Sequence, residues 1–332
     1  MKKYFICYII IGLIFLTSCS SVKNISIEVL EPAKSSIPLK IKKIQIVNRS
    51  NFYNNNSINK SSSYNDSIYY DSLYSTECLF GLIDELNSGG RFDSINTDSI
   101  INISANDSAR INFPIEENKI DSLCKENNSD ALIELFKYKY CDEVNFNYLY
   151  ALVIVNYNVK TISGWRLYFP DNEGEYYEDI IYDTISWSNF GFDYDEALQK
   201  IPYIEDAFLE AAYKTGGKYA AYLTPHWVDT KRMYYKFPVS KIEKINLLIN
   251  NNDWKSLVDI WEKYTNNKNY KKAAKASYNI ALAYEMQGEL KNALFWAEKS
   301  FSLFNSEHTK KYIKILKNRI EQIELIDEQM SR

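Results

Sequence analysis

The stretch that decides the architecture of the C-terminal part of the chain is residues 277–301, SYNIALAYEMQGELKNALFWAEKSF. Small and apolar residues recur every three or four positions on both sides of Gly288. This is the period of two amphipathic helices, and a glycine is a common residue at the turn that ends a helix. Small side chains such as Ala281 and Ala293 allow two helices to approach closely. The stretch therefore predicts an antiparallel helical hairpin.

The spacing within this hairpin resembles the tetratricopeptide repeat. The signature positions are occupied by Ile280, Ala281, Tyr284, Gly288, Ala293 and Ala297. A generic helical hairpin is the alternative. In the repeat register, a groove for a partner would be lined by Lys275, Tyr278, Leu282 and Glu285. Packing of these side chains on a neighbouring helix is the other possibility for them.

Further helices are predicted on both sides of this hairpin. With the two hairpin helices included, the expected ranges are 240–250, 253–265, 270–287, 289–304 and 307–328. Residues 251–264, NNDWKSLVDIWEKY, resemble the second helix of an earlier, degenerate repeat. We therefore expect residues 238–330 to form an all-α, tetratricopeptide-like domain, with the last helix capping the stack.

The chain upstream, residues 25–235, has the pattern of an α/β domain. Residues 25–30 and 40–47 alternate apolar and polar side chains, as half-buried strands do. An apolar stripe at i+4 steps predicts a helix over 71–87, and a second helix is expected near 115–127. Short strands follow each of these helices. This β-α-β-α-β order predicts a partly parallel sheet, with residues 48–66 as a flexible, Asn- and Ser-rich insertion.

Three further strands are expected at 148–160, 163–169 and 175–188, as an antiparallel meander that continues the sheet. Residues 195–223 then predict a long helical stretch that is interrupted near Gly216 and Gly217. The fold class is thus α/β (or α+β) with a mixed sheet, followed by the all-α domain.

The N-terminus resembles a bacterial lipoprotein leader. Lys2 and Lys3 precede an apolar run over 5–16, which is shorter than the roughly 20 residues that a transmembrane helix needs. Leu16-Thr17-Ser18-Cys19 resembles the lipobox, whose cysteine becomes lipidated. We expect residues 1–18 to be a signal peptide, Cys19 to carry the lipid and residues 19–24 to form a tether. Ordinary secretion is the alternative.

Composition and motifs exclude several classes of function. The chain has a net charge of −4 and shows no basic stripe, which disfavours nucleic-acid binding. His226 and His308 are its only histidines, and no zinc spacing, P-loop or dinucleotide fingerprint occurs. We therefore predict no catalytic residue, no metal site and no cofactor.

The leader, residues 27–50 (IEVLEPAKSSIPLKIKKIQIVNRS) and residues 216–235 (GGKYAAYLTPHWVDTKRMYY) together resemble uncharacterised lipoproteins of Bacteroidota. The resemblance implies the architecture and the location, but no activity. Several Asp-Ser pairs also look like the O-glycosylation signal of such bacteria, with Ser67 and Ser72 as the best candidates. Asp-Ser pairs that start helices and turns are the alternative.

The absence of an aspartate after Cys19 favours the outer membrane, with the protein facing the periplasm. The leading hypothesis is a non-enzymatic, lipid-anchored interaction protein that binds an envelope protein or peptide through its helical repeats. One alternative is an envelope hydrolase that uses carboxylates of the α/β domain. Another is a component of an outer-membrane secretion assembly, on a loose likeness to the lipoproteins of curli-type export channels.

Overall fold

The computed structural model describes residues 22–35, 37–50, 64–102, 113–170 and 175–330, without the side chains of 64–70 and 97–102. The strands are β1 (Val22–Glu31), β2 (Lys43–Asn48), β3 (Ser94–Asn102), β4 (Ala131–Leu149), β5 (Leu152–Tyr168), β6 (Tyr176–Gly191) and β7 (His226–Tyr235). The helices are α1 (Tyr64–Ser88), α2 (Glu117–Glu126), α3 (Tyr194–Leu198), α4 (Ile204–Leu223), α5 (Ile242–Asn250), α6 (Trp254–Glu262), α7 (Tyr270–Met286), α8 (Leu290–Leu303) and α9 (Glu307–Met330).

Contacts divide the chain into two compact units. The sheet unit contains residues 32–226 and 326–330, and the helical unit contains residues 22–31 and 227–325. The sequence places β1 and the segment of β7 with the sheet domain. In the structure both strands cluster with the helices instead, because they pair with each other in a separate two-stranded sheet.

The sheet unit confirms the predicted mixed sheet. Its strand order is β3-β2-β4-β5-β6. Strand β2 pairs in parallel with both β3 and β4, and the β4-β5-β6 segment is an antiparallel meander. The predicted strand bounds were partly wrong, since residues 148–149 end β4 and residues 152–168 form one continuous strand. Alternation alone does not show the turn at residues 150–151, because apolar and polar side chains alternate in the strands on both sides of it.

Helices α1 and α4 cover one face of this sheet, and the predicted interruption at Gly216 and Gly217 is wrong. Helix α4 runs unbroken through both glycines. A Cβ on Gly216 would overlap the carbonyl oxygen of Cys78 on α1, and a Cβ on Gly81 would overlap that of Tyr213 on α4. The glycines are therefore needed where the two helix backbones touch, and tertiary packing overrides their low helix propensity.

The predicted flexible insertion over 48–66 overlaps ordered residues at both ends. Asn48 ends β2, and Arg49 and Ser50 are buried. Helix α1 begins at Tyr64 rather than at 71. Residues 51–63 lie outside the described part of the chain, as do the leader and Cys19.

The helical unit confirms all five predicted C-terminal helices. Helices α7 and α8 form the hairpin of residues 277–301, and Gly288 between them has a φ of +78°, which favours glycine. Ala281, Ala293 and Ala297 are fully buried where the helices approach. Among the described residues, no helix combines the length and the apolar character needed to cross a bilayer.

Candidate functional site

Strand β7 lies on the face of α7 that the sequence assigns to a binding groove. The ring of Tyr235 lies 5.2 Å from the ring of Tyr278, and the Nζ of Lys275 lies 5.3 Å from the centre of the Tyr235 ring. The side chain of Asn279 bonds both main-chain groups of Tyr235: its Oδ1 accepts from the N–H at 2.8 Å, and its Nδ2 donates to the carbonyl at 2.8 Å. The chain's own strand thus occupies the position of an extended partner.

An ion pair fixes β7 one turn and a half further along α7. The Nε of Arg232 lies 3.0 and 3.1 Å from the two carboxylate oxygens of Glu285, and the Tyr312 hydroxyl of α9 donates to Glu285 Oε2 at 2.7 Å. Burial, together with the neighbouring Glu285 carboxylate, raises the pKa of Tyr312. All three groups are buried, so this end of the groove is closed by paired charges.

The structure therefore corrects the prediction of an open groove. Tyr278, Leu282 and Glu285 are buried; the first packs with the α8 and α9 core, and Leu282 packs in the core that includes Tyr234 of β7. Of the four predicted groove residues, Lys275 alone keeps partial exposure. Their burial supports the alternative, in which these side chains pack inside the protein. The element that they pack against is mainly strand β7 rather than a neighbouring helix.

Lys275 also lines a cleft of about 890 Å³, which is our candidate site. The cleft lies between the segment that follows β7 and the first half of α7. Its lining residues are Lys236, Phe237, Pro238, Val239, Ser240, Ile242, Tyr264, Asn267, Asn269, Lys271, Lys272 and Lys275. Four of these are lysines and none is acidic, so the cleft has an uncompensated positive charge.

The floor of the cleft is aromatic and well supported. The rings of Phe237 and Tyr264 meet edge to face, with centroids 5.1 Å apart. The indole Nε1 of the buried Trp261 donates to the Phe237 carbonyl at 2.7 Å, which fixes the main chain at the Phe237–Pro238 cis peptide. Positive side chains around an apolar floor suit a ligand that carries both negative charge and apolar groups.

Charge is distributed unevenly between the two units. Residues 22–31 and 227–325 contain nineteen lysines and arginines against thirteen aspartates and glutamates, a net charge of +6. Residues 32–226 and 326–332 contain eighteen against thirty, a net charge of −12. With Lys2 and Lys3, these give the total of −4. The small overall charge therefore conceals a cationic helical unit.

Our reading of the sequence missed this cleft, although a local signal was present. Residues 263–275 contain five lysines and no acidic residue. Lys236 and Phe237 precede α5 and α6 in the chain, so that only the fold brings them to the same cleft as Tyr264 and these lysines. A second cleft of about 530 Å³ adjoins the first and shares Val239, Ser240 and Ile242 with it. Its other lining residues are Lys241, Glu243, Lys244, Ile260 and Lys263.

The sheet unit contains a buried carboxylate that bears on the hydrolase alternative. Glu134 on β4 is fully buried, and its Oε1 lies 2.7 Å from Nη1 of Arg49. Its Oε2 accepts from the Tyr168 hydroxyl at 2.5 Å and lies 3.6 Å from Nη1 of Arg166. Burial raises the pKa of Glu134, whereas the two arginines and the hydroxyl act to lower it. Both oxygens are occupied by partners from the protein itself.

The remaining predicted site residues have the following positions. Ser72 lies half-buried within α1, and Ser67 lies on the same helix, with its side chain outside the description. Cys19 lies outside the described residues. Within the described ranges, no group of three or more His, Cys, Asp or Glu side chains is arranged to hold a metal ion. Glycosylation and lipidation stay predictions.

Comparison with known protein families gives two matches. The domain of unknown function DUF8603 matches residues 41–235, and the domain of unknown function DUF6340 matches residues 243–318. The first match covers most of the sheet unit, and the second covers helices α5 to α8 and the first half of α9. No curated protein matches the chain.

Proposed function

We propose that this chain, which belongs to the family of the domain of unknown function DUF8603, is a lipid-anchored interaction protein of the cell envelope. Its partner is a protein with an exposed acidic segment, and the lysine-lined cleft of the helical unit binds that segment. The observation that carries this proposal is the cleft itself, where Lys236, Lys271, Lys272 and Lys275 surround an aromatic floor with no acidic lining residue.

The shape of the site favours a peptide over a flat lipid surface. A bilayer contacts the convex parts of a protein, whereas a concave cleft of about 890 Å³ lies in the size range of ligand-binding pockets. Complementary charge speeds the encounter and selects the partner, and the apolar floor adds affinity once water is displaced. An acidic segment with an interspersed aromatic residue matches both properties.

The predicted anchor suits this arrangement. If Cys19 is lipidated, the folded chain begins only three residues later, since β1 starts at Val22 rather than after residue 24. Three extended residues span about 10 Å. The anchor would then hold the helical unit close to the outer membrane, facing the periplasm.

The two alternatives gain less support. A hydrolase would need a carboxylate that is free to transfer a proton, whereas each oxygen of Glu134 is engaged by Arg49, Tyr168 or Arg166. A component of a secretion assembly would form a ring-shaped oligomer, and that outcome is tested with the experiment of the next subsection.

The test is the binding of a fluorescent 12-residue peptide of Asp, Glu and two Phe, followed by anisotropy at 50 mM and 300 mM NaCl. We expect binding that weakens with salt and falls at least tenfold in Lys271→Glu/Lys275→Glu. The matched control is Lys310→Glu/Lys311→Glu, which reverses two exposed lysines on α9 that do not line the cleft; its affinity should stay within a factor of two.

Three results would overturn the proposal. They are an equal loss in both double variants, no binding at low salt, and tighter binding to vesicles that contain phosphatidylglycerol than to the peptide. In the last case, the cleft lysines would be a membrane contact instead.

A further inference from the structure

Among the described residues, strand β6 forms an open edge of the five-stranded sheet. It is the last strand in the order β3-β2-β4-β5-β6, and its sixteen residues pair with β5 along one side only. A free edge of this length exposes a row of main-chain groups that other strands can pair with. The even-numbered residues from 178 to 190 also have exposed side chains.

The hydrogen bonds of β6 show which main-chain groups point outward. Lys218 Nζ donates to the Tyr182 carbonyl at 3.1 Å, and Lys200 Nζ donates to the Phe190 carbonyl at 3.0 Å. The N–H of Thr184 and the N–H of Phe190 donate to the side chains of the preceding residues, Asp183 and Asn189, both at 3.0 Å. All four groups belong to even-numbered residues, so the even-numbered residues direct their N–H and C=O away from β5.

These caps leave a central segment of the edge available. Lys218 and Lys200 cap the carbonyls of positions 182 and 190, each four residues from Ser186. Within the described chain, no group donates to or accepts from the outward main-chain groups of Ser186 and Ser188, nor does any group donate to the Thr184 carbonyl. Between the two lysine caps the open segment is therefore Thr184–Ser188. Unlike residues 176–180 of the same strand, which include Glu178 and Asp179, it carries no charged side chain.

We propose that this edge pairs with β6 of a second copy of the chain, antiparallel, with the two-fold axis at Ser186. The segment is self-complementary about that residue. Ser186 would lie opposite Ser186 of the other copy, Thr184 opposite Ser188, and Tyr182 opposite Phe190. Tyr182 and Phe190 are 69% and 56% exposed in the single chain. Two aromatic cross-strand pairs would thus form from side chains that are otherwise in water.

The pairing is closed and weak. A two-fold axis pairs the segment of each copy with the same segment of the other, so it yields dimers rather than filaments. A five-residue edge with its flanking aromatics buries less surface than a stable interface does, which predicts a concentration-dependent dimer. Anchoring both copies to one membrane would raise their effective concentration. Because each sheet unit is acidic, screening by salt should strengthen this dimer, in contrast to peptide binding at the cleft.

Disulfide cross-linking tests the register of the two paired β6 strands directly. All variants carry Cys141→Ser, because Cys141 is an exposed thiol. Opposed Cα atoms of a hydrogen-bonded antiparallel pair are about 5.5 Å apart, within disulfide range. Ser186→Cys should therefore form a disulfide-linked dimer on mild oxidation. Thr184→Cys alone should not, since its two copies would be four residues out of register, about 13 Å apart. A mixture of Thr184→Cys with Ser188→Cys should cross-link.

Light scattering gives a second measurement that does not depend on cross-linking. Ser186→Pro removes an outward N–H, a substitution that edge strands tolerate, and should raise the dimer dissociation constant at least tenfold. The proposal is overturned if Ser186→Cys does not cross-link under conditions that link the mixture, or if Thr184→Cys links equally well. It is also overturned if the protein stays monomeric up to about 1 mM, the dissociation constant of a very weak complex, or if it forms a larger ring. Because this edge belongs to the sheet unit, its failure leaves the cleft proposal untouched.

Discussion

The carboxamide of Asn279 on α7 bonds the N–H and the carbonyl of Tyr235 on β7, each at 2.8 Å. This is the way in which a side chain holds the main chain of an extended segment, and here both partners belong to one chain. The face of the repeat that would otherwise be free for a partner is thereby occupied, which moves the candidate binding surface to the cleft beside Lys275.

Asn279→Ala is expected to loosen β7. The substitution removes both hydrogen bonds in a largely buried place, so it should cost about 2–3 kcal/mol of unfolding free energy in the helical unit. Hydrogen exchange of the peptide that spans 226–240 should become faster. Asn292→Ala is the control, because Asn292 is exposed on α8; its exchange should match the wild type. Unchanged exchange in Asn279→Ala would contradict the role of the clamp.

Two neighbouring glycines should respond in opposite directions to alanine. Gly216→Ala places a Cβ on the carbonyl oxygen of Cys78, so α1 and α4 must separate, at a cost of about 3 kcal/mol or more. At Gly217 the nearest atom, the Gly81 carbonyl oxygen, is 3.7 Å from the added Cβ. Gly217→Ala should therefore stabilise α4 by up to about 1 kcal/mol. Urea unfolding of both variants measures the difference, and equal effects would refute the close crossing.

Loss of the Glu134 charge should destabilise the sheet unit strongly. Glu134→Gln removes the buried counter-charge of Arg49, which should cost about 3–5 kcal/mol, while Arg166 keeps its pair with Glu178 at 2.7 Å. The control is Glu143→Gln. It breaks the exposed pair between Glu143 and Lys160 and should produce no measurable change. If the two variants unfold at the same urea concentration, the inference that Glu134 and its two arginines stabilise the fold is wrong.

Thiol chemistry should distinguish the three described cysteines. Cys141 is exposed, whereas burial raises the pKa of Cys124 to about 11 and that of Cys78 further. At pH 8 a thiol reagent should therefore modify only Cys141 rapidly in the folded protein, and all three in guanidinium. Because unfolded thiols ionise near pH 8.5, unfolding should become easier as the pH rises above that value. Rapid labelling of Cys124 at pH 8 would contradict its burial.

The C-terminal helices illustrate what local pattern determines. Their apolar period, and Gly288 between α7 and α8, depend on neighbours three or four residues apart, and all five helices formed where they were expected. The same holds for the β-α-β-α-β order of the sheet unit. A periodic pattern predicts an element well when the element's own residues supply most of the reason for it.

Strand β7 illustrates the opposite case. Its buried face includes Arg232, which breaks the apolar alternation that a strand should show. Arg232 is tolerated there because Glu285, 53 residues later, neutralises it. No local pattern shows this pairing, and so neither the strand nor its occupation of the groove was predicted.

The sequence by itself determined the periodicity of the helices, the order of the main sheet and the small set of side chains that could take part in chemistry. The tertiary structure alone decided that β1 and β7 join the helices, that Gly216 sits inside a helix, and that Lys236 meets Lys271 and Lys275 in one cleft. The physical reason is the range of the forces concerned. Periodicity is encoded within a few residues, whereas burial, charge compensation and concavity depend on atoms that only folding brings together.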